Sequence, residues 1–350
     1  MASPEIVALA KTKSSLFLAL DRRYSIREKR PPLRVISALT SLHPEDLGRV
    51  LSDRKAFHEN FTFRMEPIQE NLHRLRLTKR IRGKIMSGVA IVDSSYHGAW
   101  MILTNASSYF VNRVLEGFLD TLYPEVSRPK FNHFQIRSLM DRVKQSYPGQ
   151  QVITSFVIRQ NGGTMIVWKE EASEELMKQI QSKKTHLEHL SFDVIGEDKS
   201  IVLEATVSAE GVCGLEYGNF SMFYSKLVMS LAEIASDVRK FYSDRERRVK
   251  NGQVDLHPYV IKYSTIFSKA SFSQLTSWLR KEYMCSVIHE GNPYYAAMLS
   301  DYRDGSSFGV TVLGQIVTIT PIAPANPPAL WRLTSNIQAL FGEGEVADLS

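Results

Sequence analysis

The sequence has very few cysteines and no long apolar run, and both absences limit what the protein can be. Two cysteines, Cys213 and Cys285, occur among 350 residues, too few for a disulfide framework or a cysteine-based zinc site. No apolar run approaches the ~18 residues that span a bilayer. A composition of 43% hydrophobic and 23% charged residues excludes general disorder. We therefore expect a reduced, cytoplasmic protein without a membrane span.

Glycine-rich nucleotide motifs are also missing. The chain contains neither a G-x-x-x-x-G-K-[ST] loop nor a G-x-G-x-x-G fingerprint, the two arrangements in which backbone amides at a helix start hold phosphates. The sequence therefore predicts no nucleotide cofactor, and no cluster of His and Cys predicts a metal.

Positive charge is concentrated in the first quarter of the chain. Residues 1–84 hold eighteen Lys and Arg against nine Asp and Glu, a net charge of +9, whereas residues 85–350 carry −3. Such asymmetry favours a polyanionic partner for the basic segment, most often nucleic acid. An acidic protein is the alternative partner, and a solvated basic face without any partner explains the same charges.

The first quarter has an element pattern of its own. Apolar spacing, prolines and alternation predict, in order, helices over residues 4–20, 33–42 and from Pro44, then strands from Phe61 and from Arg74. This order resembles a winged helix-turn-helix over residues 1–84. Glu45 and Asp46 at the start of the third helix would repel phosphate, so the resemblance implies backbone contacts rather than base reading.

A basic stripe lies on the second of these predicted strands. Its cations recur mostly at alternate positions, Arg74, Arg76, Arg80, Arg82 and Lys84. A strand would place them on one face in steps of ~6.6 Å, comparable with successive phosphates, whereas a helix would scatter them. The predicted nucleic-acid contacts are these five, Lys79 between them, and Arg22 and Arg23 after the first helix.

From residue 85 the pattern changes to hairpins and amphipathic helices. Asn161-Gly162-Gly163 marks the clearest hairpin, because it supplies the positive-φ residues of a tight turn. Helices are predicted over residues 173–189, 221–249 and 272–283 and from Asn326 to Gly342, and strands over 294–302, 308–313 and 316–320 form a meander. We find no repeat of fixed period.

The predicted fold class is therefore α+β. A basic, mainly helical, winged-helix-like module over residues 1–84 is followed by an α+β body over 85–252 and a C-terminal α+β subdomain over 253–350. The latter two consist of antiparallel hairpins covered by helices.

Two carboxylates are the candidates for catalysis. Asp193 and Glu204 fall on neighbouring predicted strands, and such a pair can hold Mg²⁺ and orient a water for phosphodiester attack. Thr206 stands where a two-strand nuclease of this type has a lysine, so the motif is incomplete.

The leading hypothesis is a non-enzymatic nucleic-acid-binding protein, with DNA favoured over RNA, whose α+β body serves oligomerisation or partner binding. The first alternative is an interaction subunit of a larger assembly, in which the basic face meets an acidic protein. The second alternative is a metal-dependent nuclease centred on Asp193 and Glu204.

Overall fold

The computed structural model describes residues 11–28, 30–52, 61–147, 151–160, 163–169, 185–245, 248–250, 253–255, 257–291, 294–342 and 344–347. The chain divides into two compact units. The first unit takes most of the residues up to Asp237, and the second takes those from Val238 onward. None of the helices in these ranges is long and apolar enough to cross a membrane.

Local capping explains where several helices begin. The helices are α1 Lys13–Tyr24, α2 Leu47–Ser52 after a 3-10 turn at Pro44–Asp46, α3 in the consecutive segments Ser108–Phe110, Val111–Leu115 and Glu116–Thr121, α4 His133–Ser146, α5 in the segments Phe220–Phe223, Tyr224–Val228 and Met229–Ser243, α6 Lys269–Glu282 and α7 Pro327–Phe341. The hydroxyl of Thr12 accepts a hydrogen bond from the Ser15 amide at the start of α1, and Asn132 does the same for Gln135 at the start of α4. Such caps satisfy amides that have no partner within the helix.

The strands form one large sheet in the first unit and a smaller one in the second. They are β1 Leu33–Thr40, β2 Phe61–Gln69, β3 Leu72–Ile81, β4 Lys84–Tyr96, β5 Ala99–Thr104, β6 Val126–Ser127, β7 Gln151–Gln160, β8 Gly163–Lys169, β9 Thr185–Ile195, β10 Ile201–Ser208, β11 Val212–Gly218, β12 Arg248–Lys250, β13 Gln253–Asp255, β14 Tyr259–Lys262, β15 Tyr283–Glu290, β16 Tyr294–Asp301, β17 Ser307–Leu313, β18 Ile316–Pro321 and β19 Glu345–Ala347. The large sheet has the order β2-β3-β4-β5-β1-β11-β10-β9-β7-β8, with β6 beside β1, and the smaller has the order β15-β16-β17-β18-β14-β19. The short strands β12 and β13 pair with each other.

Strand β1 joins the two halves of the large sheet, and it corrects the helix predicted over residues 33–42. It pairs antiparallel with β5 on one side and with β11 on the other. Leu33, Ile36 and Leu39 have helical spacing, but the residues between them, such as Val35, are buried as well. A strand covered on both faces reads as a continuous apolar run, which periodicity cannot separate from a helix.

The winged-helix order is therefore not found. The described elements up to residue 84 run helix, strand, short helix, strand and strand. The helix that would have read DNA, α2, has six residues, and its Leu47 and Leu51 are buried in the hydrophobic core. The sheet also continues through Lys84, because β3 pairs with β4 from Leu72 opposite Asp93 to Ile81 opposite Lys84.

Helix α3 covers one face of the strands β2 to β5 and β1. Its buried Val114 and Phe118 belong to one apolar cluster with Leu77 of β3 and Trp100 of β5. The rings of Phe118 and Phe61 meet edge to face at 6.1 Å between centroids, a favoured aromatic geometry. Packing of α3 thus fixes which face of β3 is buried.

The first unit contains a structural duplication that no sequence period indicates. Strand β5 and helix α3 recur as β11 and α5 at a spacing of 113 residues, and in each copy the second helical turn is a π-turn, Val111–Leu115 or Tyr224–Val228. Gly98 and Gly211, which precede β5 and β11, both have positive φ. Seven buried positions correspond at this spacing, Phe110, Val111, Val114, Leu115, Phe118, Leu119 and Leu122 against Phe223, Tyr224, Leu227, Val228, Leu231, Ala232 and Ala235. Few of these pairs are identical residues, which explains why the repeat is not visible in the sequence.

The second unit repeats the topology of the β1–α3 region. In both, a first strand is followed by a helix, a four-stranded meander and a second helix, and the first strand pairs antiparallel with the last strand of the meander. In the second unit these elements are β14, α6, β15 to β18 and α7. Phe272 of α6 stacks on Tyr295 of β16 at 5.8 Å between ring centroids, so α6 covers one face of this sheet.

The α+β class is confirmed, with helices and antiparallel strands mixed along the chain. The final helix is confirmed too, ending at Gly342 with a φ of 88°. The helix predicted over 221–249 ends at Ser243. The helix predicted over 173–189 is wrong where it can be judged, because residues 185–189 belong to β9. Its other residues, and the turn at Asn161-Gly162, lie outside the described residues.

Candidate nucleic-acid interface

Strand β3 carries the predicted alternation of basic and apolar side chains. Leu75 and Leu77 are buried in the core beneath α3, so the residues between them face the other side of the sheet. Arg76 and Arg80 are exposed on that side, and Arg74 is half-buried. The strand prediction and its alternation are therefore confirmed for these three arginines.

A tight turn ends the stripe earlier than the sequence indicated. Arg82 and Gly83 both have positive φ, at 49° and 78°, which is the conformation of a two-residue hairpin turn. The chain reverses there, so that Ile85 lies opposite Arg80 and Lys84 lies opposite Ile81. Directly opposite residues share a face, so Lys84 is on the side of α3, away from Arg80.

Lys79 also lies on the side of α3. Its Nζ donates to the carbonyl oxygen of Arg113 at 3.2 Å and lies 4.4 Å from the centre of the Phe61 ring. These contacts hold the lysine against the middle of α3 and the aromatic face. Strand parity therefore places Lys79 and Lys84 on the opposite side of the sheet from Arg76 and Arg80.

Strand β2 adds two residues that the stripe did not include. Arg64 lies opposite Arg76, and Glu66 lies opposite Arg74. One Glu66 oxygen is 2.8 Å from Arg64 Nε, and the other is 3.4 Å from Arg74 Nη1 and 3.7 Å from Arg76 Nε. The signal for both was present in the sequence, because they occupy one parity of the predicted strand from Phe61.

We call this surface the basic face. It comprises those residues of β2, β3 and β4 on the side opposite α3 that are not buried, namely Thr62, Arg64, Glu66, Arg74, Arg76, Thr78, Arg80, Ile85 and Ser87. Four arginines and one glutamate give it a net charge of +3. Arg74 and Arg80 are six residues apart, roughly 20 Å along an extended strand. None of its members is aromatic.

Arg22 and Arg23 are not part of the basic face. Helix α1 begins beside β2, where the Lys13 amide donates to Gln69 Oε1 at 3.3 Å. The two arginines lie near the other end of this helix, ~15 Å further along its axis. Next to them, the Asp21 carboxylate accepts from the amide and the hydroxyl of Ser221 at the start of α5. The structure therefore brings together Arg74, Arg76 and Arg80 with Arg64, and leaves Arg22 and Arg23 apart.

The candidate catalytic carboxylates lie directly opposite each other on β9 and β10. Burial raises the pKa of Asp193, Glu204 raises it further, and Arg27 lowers it. Arg27 also forms an ion pair with Glu204, so this carboxylate already has a positive partner. Within the described ranges, no group of three or more His, Cys, Asp or Glu side chains is arranged to hold a metal ion.

Neither the models of known protein families nor the sequences of curated proteins give a match to this chain.

Proposed function

We propose that this protein binds nucleic acid without chemical turnover, through contacts between the basic face and the phosphate backbone. The observation that supports this proposal is that Arg76 and Arg80 are exposed on one side of the sheet, with Arg64 beside them on β2. Arg74 lies on the same side with 15% of its side chain exposed. Arginine is suited to this role because its planar guanidinium forms two parallel hydrogen bonds to a phosphate.

The dimensions of the basic face suit a duplex. Double-stranded DNA carries one negative charge per ~1.7 Å of its axis, so a surface ~20 Å long passes about twelve phosphates. The three exposed arginines, Arg64, Arg76 and Arg80, can each reach a different one. A β-sheet surface without inserted side chains makes such contacts without reading bases.

The absence of aromatic residues from the basic face favours a duplex over a single strand. Single strands are held by bases stacked on aromatic side chains beside cations. Phe61 and Phe63 of β2 are aromatic residues that could stack on bases. Their positions in the alternation of the strand place them on the side of α3 instead, where both contact Phe118. We therefore propose duplex DNA as the ligand, with an RNA duplex as the comparison.

In this proposal Glu66 holds the arginines of the basic face in place. A carboxylate among three arginines reduces their mutual repulsion and limits their rotamers when no ligand is bound. Phosphates would compete with Glu66 for Arg64 and Arg76, so its charge moderates affinity while it keeps the guanidinium groups in place.

The test is the binding of a labelled 20-base-pair DNA duplex over a salt series. One variant carries Arg74→Ala, Arg76→Ala and Arg80→Ala. A matched control removes three exposed positive charges elsewhere, with Lys226→Gln, Lys240→Gln and Lys281→Gln. The arginine variant should bind more weakly and flatten the log–log salt slope by ~0.9 for each lost phosphate contact, whereas the control should keep the wild-type slope.

Two other outcomes would replace the proposal. If wild-type and arginine variant bind DNA, an RNA duplex and a single strand equally weakly at 0.15 M salt, the basic face does not contact nucleic acid. An acidic protein that co-purifies with the wild type and not with the arginine variant would then support the interaction-subunit alternative.

A further inference from the structure

The sheet of the second unit has one covered and one open face. On the covered side, Tyr295 of β16 packs under Phe272 and accepts a hydrogen bond from Thr276 Oγ1 of α6 at 3.2 Å. The residues that alternate with these point the other way. Met284, Met298 and Leu313 on that side are exposed by 64%, 41% and 61%, so no described part of the chain covers them.

We call this side the neutral face. It comprises the residues of β15 to β18 that share the side of Met298, namely Met284, Ser286, His289, Tyr294, Ala296, Met298, Ser300, Ser307, Gly309, Thr311, Leu313, Ile316, Thr318 and Thr320. Among these residues there is no Asp, Glu, Lys or Arg. Lys262, opposite Ile316 on β14, stands at its rim.

The size of the neutral face is that of a weak, specific interface. Four strands at ~4.8 Å spacing and about seven residues at ~3.4 Å give a flat footprint of roughly 450 Å². A corrugated surface has a larger accessible area than its footprint, so two such faces together bury about 1,000 Å² or slightly more. That area is near the lower limit for a specific complex.

The centre of the neutral face consists mostly of small residues. Met298 and Gly309 are direct partners in the pairing of β16 with β17, and the Sδ of Met298 lies 3.9 Å from the position that a Cβ at Gly309 would take. The residues next to this pair on the same face are Ala296, Ser300, Ser307 and Thr311. Small side chains let two copies approach closely about a two-fold axis at this point, where each copy supplies the same surface.

We propose that the neutral face binds the neutral face of a second copy of this chain. With the two-fold axis near the Met298–Gly309 pair, the Met298 side chain of each copy packs against the neutral face of the other. Two copies of a chain with a net charge of +6 repel each other, and a surface without acidic or basic residues is where they approach without desolvating a charge. The small area predicts a dissociation constant in the micromolar range.

Sedimentation velocity of the full chain at 1–200 µM and 0.15 M salt tests this proposal. The decisive variant is Gly309→Leu, which places a branched side chain at the centre of the neutral face. A Cβ at Gly309 would meet no atom closer than 3.8 Å, so the backbone position accepts a side chain. We expect the wild type to form dimers and Gly309→Leu to weaken dimerisation by at least 30-fold.

Two further variants keep the test decisive. Thr311→Lys places a charge at an exposed position of the neutral face and should also give monomers, even if Gly309→Leu does not fold. Ser277→Lys adds the same charge at an exposed position of α6 and should dimerise like the wild type. A wild type that stays monomeric at 200 µM, or Thr311→Lys that dimerises like Ser277→Lys, would overturn the proposal.

Discussion

The two units use the same arrangement of elements for sheets whose open faces differ completely. In each, a first strand, a helix, a four-stranded meander and a second helix bury one side of the sheet. Where the other side is open, it carries four arginines and one glutamate on β2 and β3 of the first unit, and no acidic or basic residue on β15 to β18 of the second. The core side of a strand is restricted by packing, whereas the open side can change without loss of the fold.

This difference in charge predicts that the two surfaces bind different partners. A basic face attracts a polyanion and loses affinity as salt rises. A neutral face associates through apolar burial, which salt does not screen. Opposite responses to salt therefore distinguish nucleic-acid binding from self-association in one protein.

The largest expected effect is a loss of stability that differs between the two sides of β3. Leu77→Ala should lower the free energy of unfolding by about 2–5 kcal/mol, because it leaves a cavity under α3. Thr78→Ala, one residue on and facing the open side, should change it by less than about 0.5 kcal/mol. Urea denaturation measures both. A Thr78→Ala loss as large as that of Leu77→Ala would mean that the basic face is covered and unavailable to a ligand.

The next largest effect on stability is expected at Asp93 of β4. This residue lies on the same side of the large sheet as the basic face, at an end of the sheet where that side is covered, and it is buried. Its carboxylate accepts hydrogen bonds from Tyr224 and Ser95, and Lys13 Nζ lies 3.1 Å from it. Asp93→Asn should lower the free energy of unfolding at pH 7 by about 1–3 kcal/mol, because it weakens charge-assisted hydrogen bonds. Ser94→Asn, at the neighbouring half-buried position, is the control for local packing.

The same aspartate predicts a pH dependence. Burial alone would raise the pKa of Asp93, but the hydrogen bonds from Ser95 and Tyr224 and the charge of Lys13 bring it below 3.8. Because the folded pKa is the lower one, the stabilisation is present above pH ~4 and is lost as the pH falls through the folded pKa. Thermal unfolding between pH 2 and 6 should therefore show a smaller decrease for Asp93→Asn than for the wild type. Parallel curves would contradict this.

A smaller effect compares two cations on either side of one hairpin turn. Arg80→Ala should flatten the salt slope of duplex binding by ~0.9, with a loss of affinity of a few-fold. Lys84→Ala removes the same charge four residues later, on the opposite side of the sheet, and should leave the slope unchanged. Equal effects would show that net charge alone, not the basic face, controls binding.

The smallest expected effect is an increase in duplex affinity rather than a decrease. Glu66→Gln raises the net charge of the basic face from +3 to +4, so duplex affinity should increase a few-fold. The free energy of unfolding should fall by less than about 1 kcal/mol, since Arg64 and Arg76, two of the three partners of Glu66, are exposed and ion pairs with exposed side chains stabilise little. Reduced affinity would mean that Glu66 orients the arginines more than it competes with phosphate.

The sequence predicted correctly those features that depend only on residues close to one another along the chain. Alternation in β3 identified Arg74, Arg76 and Arg80 as sharing a face, and Gly342 marked the end of α7. The pairing of Asp193 with Glu204 also followed from two neighbouring strands. Arg64 and Glu66 were missed because their place on the basic face depends on the register of β2 against β3.

Composition and short-range periodicity were enough for the α+β class, the uneven charge and the basic strand, because those properties belong to consecutive residues. Tertiary structure decided that Leu33–Thr40 is a central strand, because its two edges pair with β5 and β11, which are distant in the sequence. It also decided which side of the sheet each cation occupies, since a two-residue turn at Arg82 and Gly83 reverses the chain. The neutral face likewise exists only after folding, because its residues come from four strands and are brought together by their pairing.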